Sequence, residues 1–129
     1  MLVYSSFISP SDFIFKEARK SGIELPVDDP KDLRNWLQEQ KLVALNKDNN
    51  KAEKGKNWKV FDFCNQFLQT KEQLRDATLD LCSRLADKNV VYAEIRFCPS
   101  LHLEKGLSEE EVIENVICGN EFSFILLSN

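Results

Sequence analysis

Glu94 and Arg96 are the charged side chains of an otherwise apolar and aromatic run, Val90-Val91-Tyr92-Ala93-Glu94-Ile95-Arg96-Phe97. In an extended chain residues two apart point to the same side, so a carboxylate and a guanidinium stand next to each other. Taking such charges out of water is costly unless they are paired. The pattern therefore fits either a structural ion pair or a pair that supports the rim of a pocket. His102 is the chain's one histidine, the residue type best suited to move a proton or hold a metal near neutral pH. It stands isolated after Pro99 and is read as a loop or surface histidine. Cys64, Cys82, Cys98 and Cys118 lie 16 to 20 residues apart, with no CxxC pair and no His-x-His beside them. Zinc-finger and thioredoxin-like chemistry is thereby excluded. The four are read as reduced, buried thiols of a cytoplasmic chain, with Cys98 a packing residue rather than a nucleophile. No residue is assigned a catalytic or metal-binding role.

The elements that must position these residues are bounded by length and composition. A chain of 129 residues is one domain or part of one, and it falls short of the ~250 residues of a typical α/β barrel. Apolar residues at 43% and charged residues at 29% are ordinary for a globular chain. A net charge of −4 offers no basic surface for phosphates, so no nucleic-acid partner is expected. Met1 to Ser9 is apolar but lacks a basic start and stops at Pro10. It is too short for a signal peptide or a membrane span, so no membrane partner is expected.

Ser11 is placed to cap a helix from Asp12 to Lys20 that ends at Gly22, with Ile23 to Val27 as connector. Asp29 followed by Pro30 reads as an N-cap with proline at the first helical position, opening a short helix whose Leu33, Trp36 and Leu37 share a face. Asn46 to Asn57 is polar, contains Gly55 and reads as a surface loop. From Trp58 onward Val60, Phe63, Cys64 and Phe67 form one apolar helical stripe, with Phe61 off that face. Trp36 and Trp58 are read as packing residues. Thr70 then caps a helix over Lys71 to Lys88 whose Leu74, Ala77, Thr78, Leu81 and Leu85 line one side. Val90 to Phe97 reads as a strand buried on both faces. Ser108-x-x-Glu111 is a capping box that starts a further helix through Val112, Ile113, Val116 and Ile117. The tail packs Phe122, Phe124, Ile125, Leu126 and Leu127 together, which suits a second buried strand or a divergent end over 120–129. Helix, strand, helix is the order of an α/β repeat.

Three segments, taken in order, resemble the adenosine deaminase family. Ala86-Asp-Lys-Asn-Val-Val-Tyr-Ala-Glu-Ile-Arg-Phe-Cys-Pro99 is similar to the family's second strand region. Val60-Phe-Asp-Phe-Cys-Asn-Gln-Phe67 resembles its apolar helix after the first strand, and Gly22-Ile-Glu-Leu-Pro26 resembles its connector. The resemblance covers about residues 8–119.

What it implies is an α/β fold, the N-terminal portion of a (β/α)8 TIM barrel, mostly helical with one or two strands in this chain. The implied activity is zinc-dependent hydrolytic deamination of adenosine to inosine and ammonia. Val60, Phe63 and Phe67 are expected to form the wall of the nucleoside pocket, and Glu94 and Arg96 to support it. The family's zinc is held by a His-x-His on the first strand with a later His and Asp. Here Met1 to Phe7 stands where that strand belongs and contains no histidine. No zinc is therefore expected to bind this chain, and it reads as a truncated product inactive alone. The alternatives are a non-catalytic, helix-rich interaction module and part of a related deaminase acting on methylated AMP. Lacking the remaining strands, Val90 to Phe97 and the faces carrying Phe63, Phe67, Leu81 and Leu85 are expected to be uncovered unless a partner covers them.

Overall fold

Capping residues set several of the helix boundaries in this chain, although Ser11, expected as an N-cap, is instead the first helical residue. The structure is a computed structural model that describes residues 2–5, 11–46 and 62–127, with side chains for 12–40 and 62–121. The chain divides into two compact units, Ile8–Phe67 and the combination of Met1–Phe7 with Leu68–Asn129.

In the first unit α1 spans Ser11–Ser21 and α2 spans Pro30–Asn46. Gly22 adopts φ 67°, the left-handed conformation that glycine takes without a Cβ penalty. It lets the Ile23 N–H turn back to the Ala18 carbonyl at 3.0 Å, closing α1 as a Schellman motif does. Asp29 starts α2: its carboxylate accepts from the Lys31 N–H at 2.7 Å and its carbonyl accepts from the Leu33 N–H at 3.0 Å. The helix is longer than expected from sequence, running 17 residues. α1 packs against α2, and Phe13, Ile14, Ala18, Leu33 and Leu37 are buried. Residues 62–65 add one helical turn. Most of the expected polar loop, together with Trp58, Val60 and Phe61, lies outside the described residues.

The second unit contains β1 (Leu2–Ser5), α3 (Lys71–Asp87), β2 (Ala93–Arg96), a 3-10 turn (Pro99–His102) and α4 (Glu109–Leu127). Thr70 caps α3 as its sequence predicts, its Oγ1 accepting from the Gln73 N–H at 3.2 Å. Asn89 at φ 57° ends the helix, with the Val90 N–H bonded to the Leu85 carbonyl at 3.0 Å. Asn tolerates this backbone region better than other residues with a Cβ. β1 and β2 pair in parallel, Leu2 opposite Ala93 and Ser5 opposite Arg96. Parallel neighbours require a crossover connection, here one that contains α3.

α3 buries Leu74, Ala77, Thr78, Leu81 and Leu85, and α4, which packs along it, buries Val112, Val116 and Gly119. The spacing of four and three keeps these positions on one stripe. The capping box forms reciprocally: the Glu111 N–H donates to Ser108 Oγ at 3.2 Å, and the Ser108 N–H donates to the Glu111 carboxylate at 3.0 Å. Lys71 joins the two helix starts through a 2.9 Å ion pair with Glu111.

Several expectations are corrected. The strand is four residues long rather than eight, and Val91 is fully exposed at 101%. It is not buried on both faces, because the described sheet has two strands. Residues 122–127 continue α4 instead of forming a strand, and β2 pairs with the N-terminal segment. Phe67, Leu81 and Leu85 are buried, not uncovered.

Candidate functional site

Phe63 and Phe67 come from the 62–65 turn and the residues after it, where Phe67 N–H reaches back to the Cys64 carbonyl at 3.2 Å. Tightening the chain there brings the two rings edge to face, with centroids 5.7 Å apart and planes at 77°. Trp36 packs on the other ring, 5.2 Å from Phe63. Phe67 is fully buried and Phe63 half-buried. Edge-to-face aromatic contacts make a stiff apolar surface. Val60, the third expected wall residue, lies outside the described residues.

On β2 the period of two puts Glu94 and Arg96 in one row, and Tyr92, just before the strand, joins them. The Tyr92 hydroxyl donates to Glu94 Oε1 at 3.0 Å, and Arg96 reaches Glu94 Oε2 at 3.5 Å. The ion pair expected from sequence is present, but it is exposed, so no burial of charge has to be offset. The hydrogen bond to Glu94, followed by the carboxylate's charge, raises the Tyr92 hydroxyl above its ordinary value of 10.0. Both carboxylate oxygens are therefore engaged, an arrangement that orients Arg96 and Tyr92. Phe63 and Phe67 are brought together within one unit and Glu94 and Arg96 within the other.

His102 departs from its sequence reading. It is buried, 3% exposed, and its Nδ1 lies 2.9 Å from the Leu68 carbonyl. Burial pushes its pKa below the ordinary 6.5, against a smaller opposing effect of the Leu68 bond. Beside it Gln69, also buried, donates from Nε2 to the Leu101 carbonyl at 2.9 Å and accepts at Oε1 from the Glu104 N–H at 3.0 Å. This polar cluster was missed in the sequence, where Gln69 and Glu104 lie 35 residues apart with no local pattern linking them.

Of the cysteines only Cys64 is buried; Cys82 and Cys118 are half-buried. Cys98 is exposed with its sulfur 3.1 Å from Ser100 Oγ, so it is not a packing residue. Among the described residues no three His, Cys, Asp or Glu side chains gather as a metal site. The one histidine bonds a backbone carbonyl, so the described residues do not assemble the set of about three protein ligands that a catalytic zinc takes.

The family profile described as adenosine deaminase matches residues 5–124. The chain belongs to the adenosine deaminase family. The match extends a few residues beyond both ends of the resemblance read from the motifs. The adenosine deaminase of Clostridium botulinum strain Hall is 39% identical over 108 residues, covering 84% of this chain and 30% of the relative. That of Clostridium perfringens is 35% identical over 108 residues, covering 79% of this chain and 28% of the relative. The chain thus spans about 30% of the length of the curated adenosine deaminases it matches. No solved structure matches it significantly.

Proposed function

We propose that this chain forms the first part of a (β/α)8 deaminase barrel and contributes the apolar wall of a nucleoside pocket, in an enzyme that hydrolyses adenosine to inosine and ammonia. The observation that carries this reading is the family match over residues 5–124. The geometry supports it: a parallel β1–β2 pair, whose connection contains α3, is the repeating step from which such a barrel is built. In this reading Val60 and Phe63 face the nucleoside, the buried Phe67 backs the Phe63 ring as the rest of the apolar wall, and Glu94 holds Arg96 as a supporting cation. The apolar wall favours adenosine over a phosphorylated substrate such as methylated AMP. The exposed Val91, Leu101, Ile113 and Ile117 are covered in the working enzyme by further barrel elements. We place the protein in the cytoplasm, a reducing compartment in which an exposed thiol such as Cys98 persists.

In the family a bound zinc activates the water that attacks the purine. The residues described here do not hold it, and we assign this chain no step in that chemistry. The chain by itself is then inactive. Ammonia release from adenosine, measured with zinc supplied, tests this. No turnover and no stoichiometric zinc are expected, and turnover by the purified chain would overturn the incomplete-site reading.

A further inference from the structure

β2 is paired with β1 along one side, and among the described residues the sheet has two strands, so the other edge of Ala93–Arg96 carries no neighbouring strand. An edge of this kind presents backbone N–H and C=O groups that can pair with another chain. The side chains beside it are accessible: Tyr92 is 57% exposed and the Arg96 side chain 66%. Glu94 and Arg96 are the charges of the strand, two residues apart and so on one face. Charges on an edge ordinarily discourage pairing. Opposite signs at this spacing do the reverse in one register.

We propose that this edge pairs with a second copy of the chain, β2 against β2 antiparallel about a two-fold axis at Ile95, so that Glu94 of each copy stands opposite Arg96 of the other. The charges select this register. With the axis at Ile95 both cross-strand charge pairs are opposite in sign. An axis at Glu94 sets the two carboxylates against each other and an axis at Arg96 does the same to the two guanidinium groups, and like charges directly opposite are destabilising. The Ile95 register also accommodates either set of outward-pointing backbone groups. If residue 95 points outward it meets its own copy as a hydrogen-bonded pair, and if residues 94 and 96 point outward they make the hydrogen-bonded pairs instead. A two-fold contact uses the same patch on both chains, so association closes at the dimer.

Distance favours the exchange of partners. Residues two apart along one strand are about 6.5 Å apart, and the Glu94–Arg96 contact within the chain reaches only 3.5 Å. Directly opposed residues of an antiparallel pair have Cβ atoms about 4.5–5.5 Å apart, so Arg96 stands closer to the second copy's Glu94 than to its own. Tyr92 holds Glu94 Oε1 at 3.0 Å, which leaves Oε2 as the atom that changes partner. A four-residue strand makes a contact smaller than a standard interface, so the dimer is weak, populated at roughly 100 μM and above. The pairing is a property of this chain by itself. In a complete barrel another strand takes the edge, so the dimer does not rest on the proposed deaminase role.

Sedimentation equilibrium of the full chain, from about 10 μM to about 1 mM, is the test. Wild type is expected to pass from monomer to dimer and no further. Glu94→Arg sets Arg against Arg at both cross-strand positions and Arg96→Glu sets Glu against Glu, so each variant alone should dimerise at least ~10-fold more weakly. Both side chains reach water, so the substitutions leave the fold intact. Mixed one to one, the two variants regain both opposite-sign pairs and should associate within about threefold of wild type. Each variant has lost the ion pair within its own strand, so recovery in the mixture can come only from contact between copies. A wild type that stays monomeric over the whole range, association that continues past two, single variants that dimerise as wild type does, or a mixture that fails to associate would each overturn the pairing.

Discussion

Gly119 of α4 sits so close to the backbone of α3 that a Cβ there would collide with the Arg75 carbonyl oxygen and stand 2.8 Å from the Thr78 Cβ. Glycine at this position sets how closely the two helices approach. Alanine would gain about 1 kcal/mol in helix propensity, but the obstacle is backbone, which cannot rotate aside, and overpacking costs about 1–3 kcal/mol. Gly119→Ala is expected to lower the denaturant midpoint, and Gly119→Val more so. A midpoint equal to or above wild type for alanine would show that the helices are not in close contact there.

Removing the Phe67 ring, fully buried at 0% exposure, deletes both its own burial and its edge contact with Phe63. Phe67→Ala should destabilise by about 3–5 kcal/mol, read from chemical denaturation. Phe67→Leu, which keeps much of the volume, should lose clearly less.

Asn89 holds a left-handed backbone, φ 57°, at the end of α3. Asn89→Gly should be neutral or stabilising, whereas Asn89→Val should cost about 1–2 kcal/mol because a branched side chain is disfavoured there. Thermal midpoints of the two variants check the ordering.

The Glu111 carboxylate is held below its ordinary value of 4.5, first by the Ser108 N–H and then by Lys71. A depressed carboxylate contributes stability that is present above the ordinary value and is lost as pH falls through the folded one. The thermal midpoint of wild type should therefore drop on acidification more steeply than that of Glu111→Gln. Parallel profiles would remove Glu111 from the account. Ser108→Ala tests the reciprocal half of the cap and should cost about 1 kcal/mol at neutral pH.

What could be read ahead of the structure were features encoded locally. Thr70, the Asp29-Pro30 pair and the Ser108–Glu111 box each place a polar atom within a few residues of the N–H groups it satisfies, so their spacing is enough. The stripe Leu74, Ala77, Thr78, Leu81 and Leu85 is legible for the same reason. The Phe122–Leu127 run misled because a short, wholly apolar stretch has no period to separate strand from helix, and here α4 continues through it. Val91 and Tyr92 carry strand propensity, yet among the described residues the ladder starts at Ala93, opposite Leu2. His102 was misread because its burial depends on Leu68 and Gln69, more than thirty residues away, and an isolated imidazole leaves no pattern of that partnership in sequence.

The most direct measurement of the central claim transplants residues 58–97 of this chain into the corresponding segment of the Clostridium botulinum adenosine deaminase and follows ammonia release from adenosine and from AMP. If Phe63 and Phe67 form the nucleoside wall, with Glu94 and Arg96 supporting it, the chimera should keep kcat/KM for adenosine within about tenfold of the parent and gain nothing on AMP. A further Phe63→Ala in that chimera should raise KM with a smaller change in kcat, as loss of uniform substrate binding does. A folded, zinc-loaded chimera that no longer deaminates adenosine, or that prefers AMP, would contradict the assignment of this segment to an adenosine pocket.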